Sequence, residues 1–170
     1  MDNLDLRLDA AGIRPTPEST SSDYLKIGSQ APTFSLPNLT GDIVSLKDLL
    51  AMKKPILLVF SDPNCGPCTA MMPRLMQWEI EFKLKVMLVL INRGTDKENM
   101  DKIGEFHLGI ILLEAGREVS EQYKARGTPC AVRISIDGLI DSNIACGEIA
   151  ITTLVHQSIS HINSVIHNKH

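Results

Sequence analysis

Cys65-Gly66-Pro67-Cys68 places two thiols three positions apart, the spacing at which a disulfide can close and reopen while the fold around it stays put. Disulfide exchange needs a thiolate that attacks and a second sulfur close enough to release the mixed disulfide. With Cys65 at a helix N-terminus, unpaired backbone N–H groups and the helix dipole favour its anionic form and lower its pKa below the free value of about 8.5. Cys68, one turn inside, resolves. Gly66 permits the tight turn, and Pro67 suits the first helical turn, where its missing N–H costs nothing.

Other residues bear on that chemistry. Thr128-Pro129 is an X-Pro bond before a strand; in the cis form it leaves backbone polar groups of Thr128 free to hold a substrate strand. Asp62 and Glu79 are the carboxylates nearest the dithiol in sequence, and a loop Asp beside a helix start is first a turn or cap residue and only second a proton acceptor. Cys130 and Cys146 are nearly symmetric about Gly138, so a three-residue hairpin loop would set them opposite one another as a second redox pair. A two-residue turn would misalign them, and two buried small hydrophobes is the expected outcome.

Several chemistries are set aside. The chain has 17 Lys and Arg against 20 Asp and Glu, so no basic field exists to attract nucleic acid or anionic lipid. Zinc is not expected, because Cys130 and Cys146 do not form a second knuckle. Haem attachment needs His after the second cysteine, where Thr69 stands. His107, His156, His161, His167 and His170 show no ligand spacing joined to a carboxylate cluster. Met71, Met72 and Met76 are read as core filling for at least two of the three, and Arg93 as a solvated loop residue. No metal, no prosthetic group and no nucleic-acid partner are expected.

The elements that must position these groups fit one domain, since 170 residues with 44% apolar content support a single sizeable core. Residues 1–26, with Pro15, Pro17 and Ser19-Thr20-Ser21-Ser22, read as a tail or linker. The globular domain is expected over 27–167. It opens with an extended segment and hairpin through Phe34, Leu36, Ile43 and Leu46. Ile56–Phe60 and Val86–Ile91 are continuous apolar runs, as in strands covered on both faces of a largely parallel sheet. Met71, Leu75, Trp78 and Phe82 stripe the helix between them, and the fold class is α/β. Thr95 with Glu98 opens a helix to about His107, followed by a strand over 110–113 and a helix over 117–126 that stops at Gly127. Strands over 131–136 and 139–145 flank Asp137-Gly138, and Ile151, Leu154, Val155, Ile159, Ile162 and Ile166 stripe a last helix. Met1 is followed by Asp2 and Asp5 rather than by a signal peptide, and no apolar run is long enough to span a bilayer.

Over roughly Ile27 to Ile166 the chain resembles the thioredoxin superfamily, in its extracytoplasmic redoxin branch. The marks are Gly28-x-x-Ala31-Pro32-x-Phe34-x-Leu36-Pro37-x-Leu39-x-Gly41, the Cys65–Cys68 motif, Pro73, and Tyr123 through Gly127-Thr128-Pro129. The resemblance implies a thioredoxin-like fold, a central mixed sheet flanked by helices with an N-terminal hairpin extension and a helix-strand insertion near 93–113. It implies that Pro129 is cis and faces the dithiol, and that Pro73 kinks the active-site helix. The implied activity is thiol-disulfide exchange, in the reducing direction, on a protein thiol or disulfide substrate with a redox partner protein. Members of this branch are commonly held by a membrane anchor, and Leu4 to Ala11 looks like the connector after one, so an extracytoplasmic location is expected, with a cytoplasmic one as the alternative. The chain departs from the family pattern at Asn64, where an aromatic residue is usual, and at Val59 and Met71, six residues either side of Cys65, where no acid stands. The proton acceptor for Cys68 is therefore unassigned. Two other readings are a redox-silent interaction module using the same groove and a weak thiol peroxidase, although Asp62 stands where a peroxidatic cysteine has Thr or Ser.

Overall fold

The computed structural model describes residues 24–103 and 109–168. The expected tail lies outside the described residues up to position 23, and Leu25 already packs against the core, so core contacts begin two residues ahead of Ile27. The chain runs β1 (Ser35–Pro37), β2 (Ile43–Ser45), α1 (Leu46–Leu50), β3 (Ile56–Ser61), α2 (Gly66–Phe82), β4 (Met87–Arg93), α3 (Asp96–Ile103), β5 (Ile110–Glu114), α4 (Glu118–Gln122), β6 (Cys130–Ile134), β7 (Ala145–Cys146) and α5 (Glu148–Asn168).

The two apolar runs form the sheet's centre. β3 is buried at all six positions and pairs in parallel with β4, from Ile56 opposite Met87 to Ser61 opposite Asn92. β5 extends the sheet in parallel beyond β4, while β6 and then β7 add antiparallel on the other side, giving the mixed order β5-β4-β3-β6-β7. β1 and β2 form the expected separate hairpin.

Alternation along the strands divides the core into two layers. Ile56, Leu58 and Phe60 face one side with Phe34, Leu46, Leu49 and Tyr123. Leu57 and Val59 face the other, with Met71, Met72, Leu75 and Trp78 of α2 and Ile151, Leu154 and Val155 of α5. Each layer buries several large apolar side chains, each contributing about 1.5–3 kcal/mol.

Helix starts follow their caps. α1 was not expected from the apolar pattern; Ser45 Oγ accepts the Asp48 N–H at 3.1 Å and the Asp48 carboxylate accepts the Ser45 N–H at 3.0 Å, a reciprocal box. The Ser45 backbone N–H, then its hydroxyl, holds the Asp48 carboxyl below its ordinary pKa. α3 has the expected box, with the Thr95 N–H donating to Glu98 at 3.0 Å. Its expected extension to His107 lies outside the described residues.

Two elements differ from expectation for identifiable reasons. α4 ends at Gln122, not Arg126: the Ala125 N–H donates to Ser120 O at 2.9 Å and the Lys124 N–H to Glu121 O at 3.1 Å, with Lys124 at φ 61. That is a Schellman stop with lysine in the left-handed position, so Gly127 is not the terminator. The strands expected over 131–136 and 139–145 shrink to β6 and β7. Ser135 and Leu139 close a three-residue loop, and Ile134 bridges Ile140. Further on, the Arg133 N–H donates to Ser142 Oγ at 2.9 Å and its guanidinium to Asp141 and Ser158. This polar knot inserts two extra residues on the returning strand before Ala145 pairs with Ala131. A slip of two preserves which face each side chain takes.

Candidate active site

Below Cys65 the chain is shaped by a turn rather than by an acid. Asp62 Oδ1 accepts the Asn64 N–H at 2.8 Å and Asp62 O accepts the Cys65 N–H at 3.1 Å, an Asx-type turn that delivers Cys65 to the start of α2. Arg93, at the end of neighbouring β4, lies 3.7 Å from the Asp62 carboxylate, so it is an ion-pair partner beside the site and not simply a solvated loop residue.

Cys65 is the N-cap of α2. Its backbone is extended, with φ −95 and ψ 118, and its Sγ accepts the Cys68 N–H at 3.2 Å. A thiolate at that atom would receive this backbone donor together with the positive end of a 17-residue helix, the arrangement that favours an anion. Pro67 occupies the first turn, and Pro73 lies within the helix. Cys65 and Cys68 are joined as a disulfide with Cα atoms 5.2 Å apart. Their burial is unequal: Cys65 is half-buried, whereas Cys68 is 1% exposed. An external thiolate can therefore reach only the Cys65 sulfur, which gives the pair a direction.

Thr128-Pro129 is cis and arrives from the far side of the sheet. Because β6 pairs with β3, with Cys130 opposite Phe60, the residues just before β6 meet those just after β3. Thr128 O comes within 3.6 Å of Cys65 Sγ. Thr128 is half-buried and Pro129 buried, so the Thr128 backbone forms a lip beside the reactive sulfur. The fold thus gathers Cys65, Gly66, Pro67, Cys68, Asp62, Thr128 and Pro129 in one place from segments 63 residues apart.

Cys130 and Cys146 also meet. They face each other across β6 and β7, joined as a disulfide with Cα atoms 4.1 Å apart. The Gly147 N–H donates to Pro129 O, so the flanking pair is the hydrogen-bonded one and Cys130/Cys146 the close, non-bonded one. The expectation of two buried small hydrophobes holds for Cys130 alone: Cys146 is exposed on the edge strand and bonded. The two-residue insertion after Ser142 is what corrects the register.

Residues that sequence reasoning passed over complete the surroundings. Asn64, in place of an aromatic, stands near the Glu98 carboxyl, whose pKa is lowered first by the Thr95 backbone N–H, then by the Thr95 hydroxyl, with Asn64 contributing least. The start of α3 thus lies beside the loop before Cys65. Ser61 and Asn92, neighbours in β3 and β4, are buried on the sheet side that α2 covers, and Ser61 Oγ and Asn92 Oδ1 have no partner among the described residues. Both are neutral, and Asn92 Nδ2 donates to Asn99 Oδ1 of α3 at 2.6 Å, so this buried polar patch is not acidic. Glu79 lies against Gly109, some 14 residues along α2 and about 20 Å from Cys65 at the helical rise. It is not a partner of the dithiol.

The chain is similar to known proteins in sequence and fold. Residues 27–144 match the model of the AhpC/TSA family. The methylamine utilization protein MauD of Methylorubrum extorquens is 30% identical over 114 residues, covering 67% of this chain and 55% of that protein. The thioredoxin-like protein YneN of Bacillus subtilis is 34% identical over 66% of this chain and 68% of its own length. The chain spans a little over half the length of the MauD proteins it matches. Among solved structures, a putative thiol:disulfide interchange protein DsbE from Chlorobium tepidum superposes with a TM-score of 0.71 at 23% identity, covering 81% of this chain and 98% of that one. The mixed sheet with its flanking helices is thus thioredoxin-like, and the chain belongs to the AhpC/TSA family.

Proposed function

We propose that this protein is a thiol-disulfide oxidoreductase acting on protein disulfides through Cys65 and Cys68, in the reducing direction. The observation that carries this is the helix-capping sulfur: Cys65 Sγ accepts the Cys68 N–H at 3.2 Å and lies 3.6 Å from Thr128 O. In the forward reaction the reduced Cys65 thiolate attacks a substrate disulfide and one substrate thiolate leaves. Thr128 offers backbone groups to the substrate strand while the mixed disulfide lasts. Cys68 then gives up its proton and attacks Cys65 Sγ, releasing the second substrate thiol and closing the disulfide. A redox partner protein restores the dithiol. Asp62, Gly66 and Pro67 shape the turn that presents Cys65.

The catalytic domain covers 27–167. An extracytoplasmic location, with a membrane tether outside this chain, belongs to the same reading; a secreted Mycobacterium tuberculosis disulfide oxidoreductase shares the fold, at TM-score 0.63 and 21% identity. Among the described residues no helix is long and apolar enough to cross a membrane.

The direct test is a Cys68→Ser variant reacted with a disulfide-bonded peptide. The expected product is a stable covalent adduct on Cys65, opened by dithiothreitol. Absence of adduct on Cys65 would refute the role given to it. A putative peroxiredoxin from Helicobacter pylori is 32% identical over 107 residues, so peroxide is the competing substrate. Faster oxidation of Cys65 by peroxide than by disulfide peptide would favour it.

A further inference from the structure

The Cys130–Cys146 disulfide is the one pair of reactive groups for which the proposed reaction has no use. Its geometry repeats the polarity of the first pair: Cys146 is exposed and Cys130 is 0% exposed. An approaching thiolate meets Cys146 first and must displace Cys130, because attack on a disulfide proceeds in line with the bond that breaks. Direct exchange with Cys65 or Cys68 is not what the fold arranges. Cys130 packs with Phe60 and Tyr123 in the layer on one face of the sheet, whereas α2 covers the other.

What the second pair does touch is the lip. Cys130 directly follows Pro129, Cys146 directly precedes Gly147, and the Gly147 N–H donates to Pro129 O at 2.9 Å. β7 is only two residues long, lies at the sheet's edge, and pairs with β6 alone. A strand that short contributes little to its own retention. Beyond it, α5 is held by its own packing, with Ile151, Leu154 and Val155 buried in the layer that α2 shares, and by the half-exposed Glu148–Arg74 ion pair at 3.1 Å, which adds little. The disulfide is the covalent link that ties β7 directly to the strand following Thr128-Pro129.

We propose that Cys130–Cys146 is a second exchange site, opened by small-molecule thiols at Cys146, and that its state sets how firmly the Thr128-Pro129 lip is held. This rests on the reading of that lip as the substrate-binding edge. A thiolate RS⁻ bonds to Cys146 Sγ; the bond between the two cysteine sulfurs breaks, and its electron pair goes to Cys130. The Cys130 sulfur takes a proton, and its apolar surroundings favour the neutral thiol. A second RS⁻ attacks the sulfur of the bound thiol and frees Cys146. Two thiols are oxidised to RSSR and one disulfide is reduced to two thiols. Closed, the pair holds β7 against the lip; open, it leaves Pro129 O with a partner on a loosened strand.

The test uses the full chain carrying Cys65→Ser and Cys68→Ser, equilibrated in graded reduced and oxidised glutathione. The expected result is reversible opening of Cys130–Cys146 below the unfolding limit, with glutathione found on Cys146 and none on Cys130. The Gly147 amide should exchange about tenfold or more faster in the open form, while β3 and β4 amides keep their protection. A pair that opens only when the chain unfolds, glutathione on Cys130, or Gly147 exchange unchanged on opening would each overturn the proposal. Because this variant lacks the first dithiol, the outcome is independent of whether Cys65 turns over substrate. Failure of the Cys68→Ser adduct would in turn leave this result standing. If the double variant folds poorly, differential alkylation of the native chain in the same buffers reports the same opening, with Arg126 and Arg133 giving Cys130 its own tryptic peptide.

Discussion

Under the proposed function, Cys65→Ser is expected to abolish reduction of insulin disulfides, with the rate falling by roughly 10³-fold or more while the fold is retained. The size follows from the step removed. A serine hydroxyl at the N-cap still accepts the Cys68 N–H, so α2 keeps its cap and stability changes little. What disappears is the only sulfur that is both reachable and placed against the helix start, since Cys68 is 1% exposed. No remaining thiol of the first pair can grip a substrate, and a serine oxygen cannot form the mixed disulfide. Insulin turnover followed by turbidity, alongside far-UV circular dichroism, checks both halves. Residual activity within tenfold of wild type would show that another cysteine attacks.

The second large effect is on stability. Glu114 is 1% exposed at the end of β5, and its carboxylate accepts the Val119 N–H at 3.0 Å, the Ser120 N–H at 3.1 Å and the Ser120 hydroxyl. It takes the place of a cap for α4, whose N-terminal Arg117 makes no side-chain cap bond. Glu114→Ala strands two amides and a hydroxyl in a buried place and leaves a void, costing about 3–5 kcal/mol. The damage reaches the site's support, because α4 delivers Tyr123. That ring lies 5.6 Å from Phe60 in the strand leading to the dithiol, and its hydroxyl donates to Pro32 O at 2.6 Å. Urea unfolding of Glu114→Ala and Glu114→Gln checks the account. The glutamine, which keeps one acceptor oxygen, recovers part of the loss. An alanine variant within 1 kcal/mol of wild type would mean the carboxylate does not anchor the helix.

Legibility in the sequence followed how local the cause was. Ile56–Phe60 and the run to Ile91 announced buried parallel strands because nothing but a core tolerates that composition, and the helix between them showed its stripe. The dithiol needs only a helix start and four consecutive residues, so its local geometry could be read directly. The lip needed more: Thr128-Pro129 suggested a role, but its position 3.6 Å from Cys65 depends on β6 pairing antiparallel with β3. Where tertiary polar contacts decide, local signals misled. Gly127 looked like the stop of α4, yet Lys124 adopts the left-handed position because Ala125 and Ser120 close the turn earlier. Hairpin symmetry allowed Cys146 to face Cys130 but left two buried small hydrophobes as the expected outcome, because the register rests on the Arg133–Ser142 knot, which shifts it by two and brings the two cysteines opposite one another. Ser45 with Asp48 did carry a legible signal for α1, a capping box followed by apolar residues, that the strand pattern around it obscured.

Everything proposed for the reaction requires that the sulfur of Cys65, once reduced, be anionic near neutral pH because the start of α2 holds it so. The rate of iodoacetamide alkylation at Cys65 in Cys68→Ser, followed from pH 4 to 10 with the adduct located by mass, measures this directly. The expected midpoint lies clearly below the free-thiol value of about 8.5. A midpoint at or above that value would contradict it.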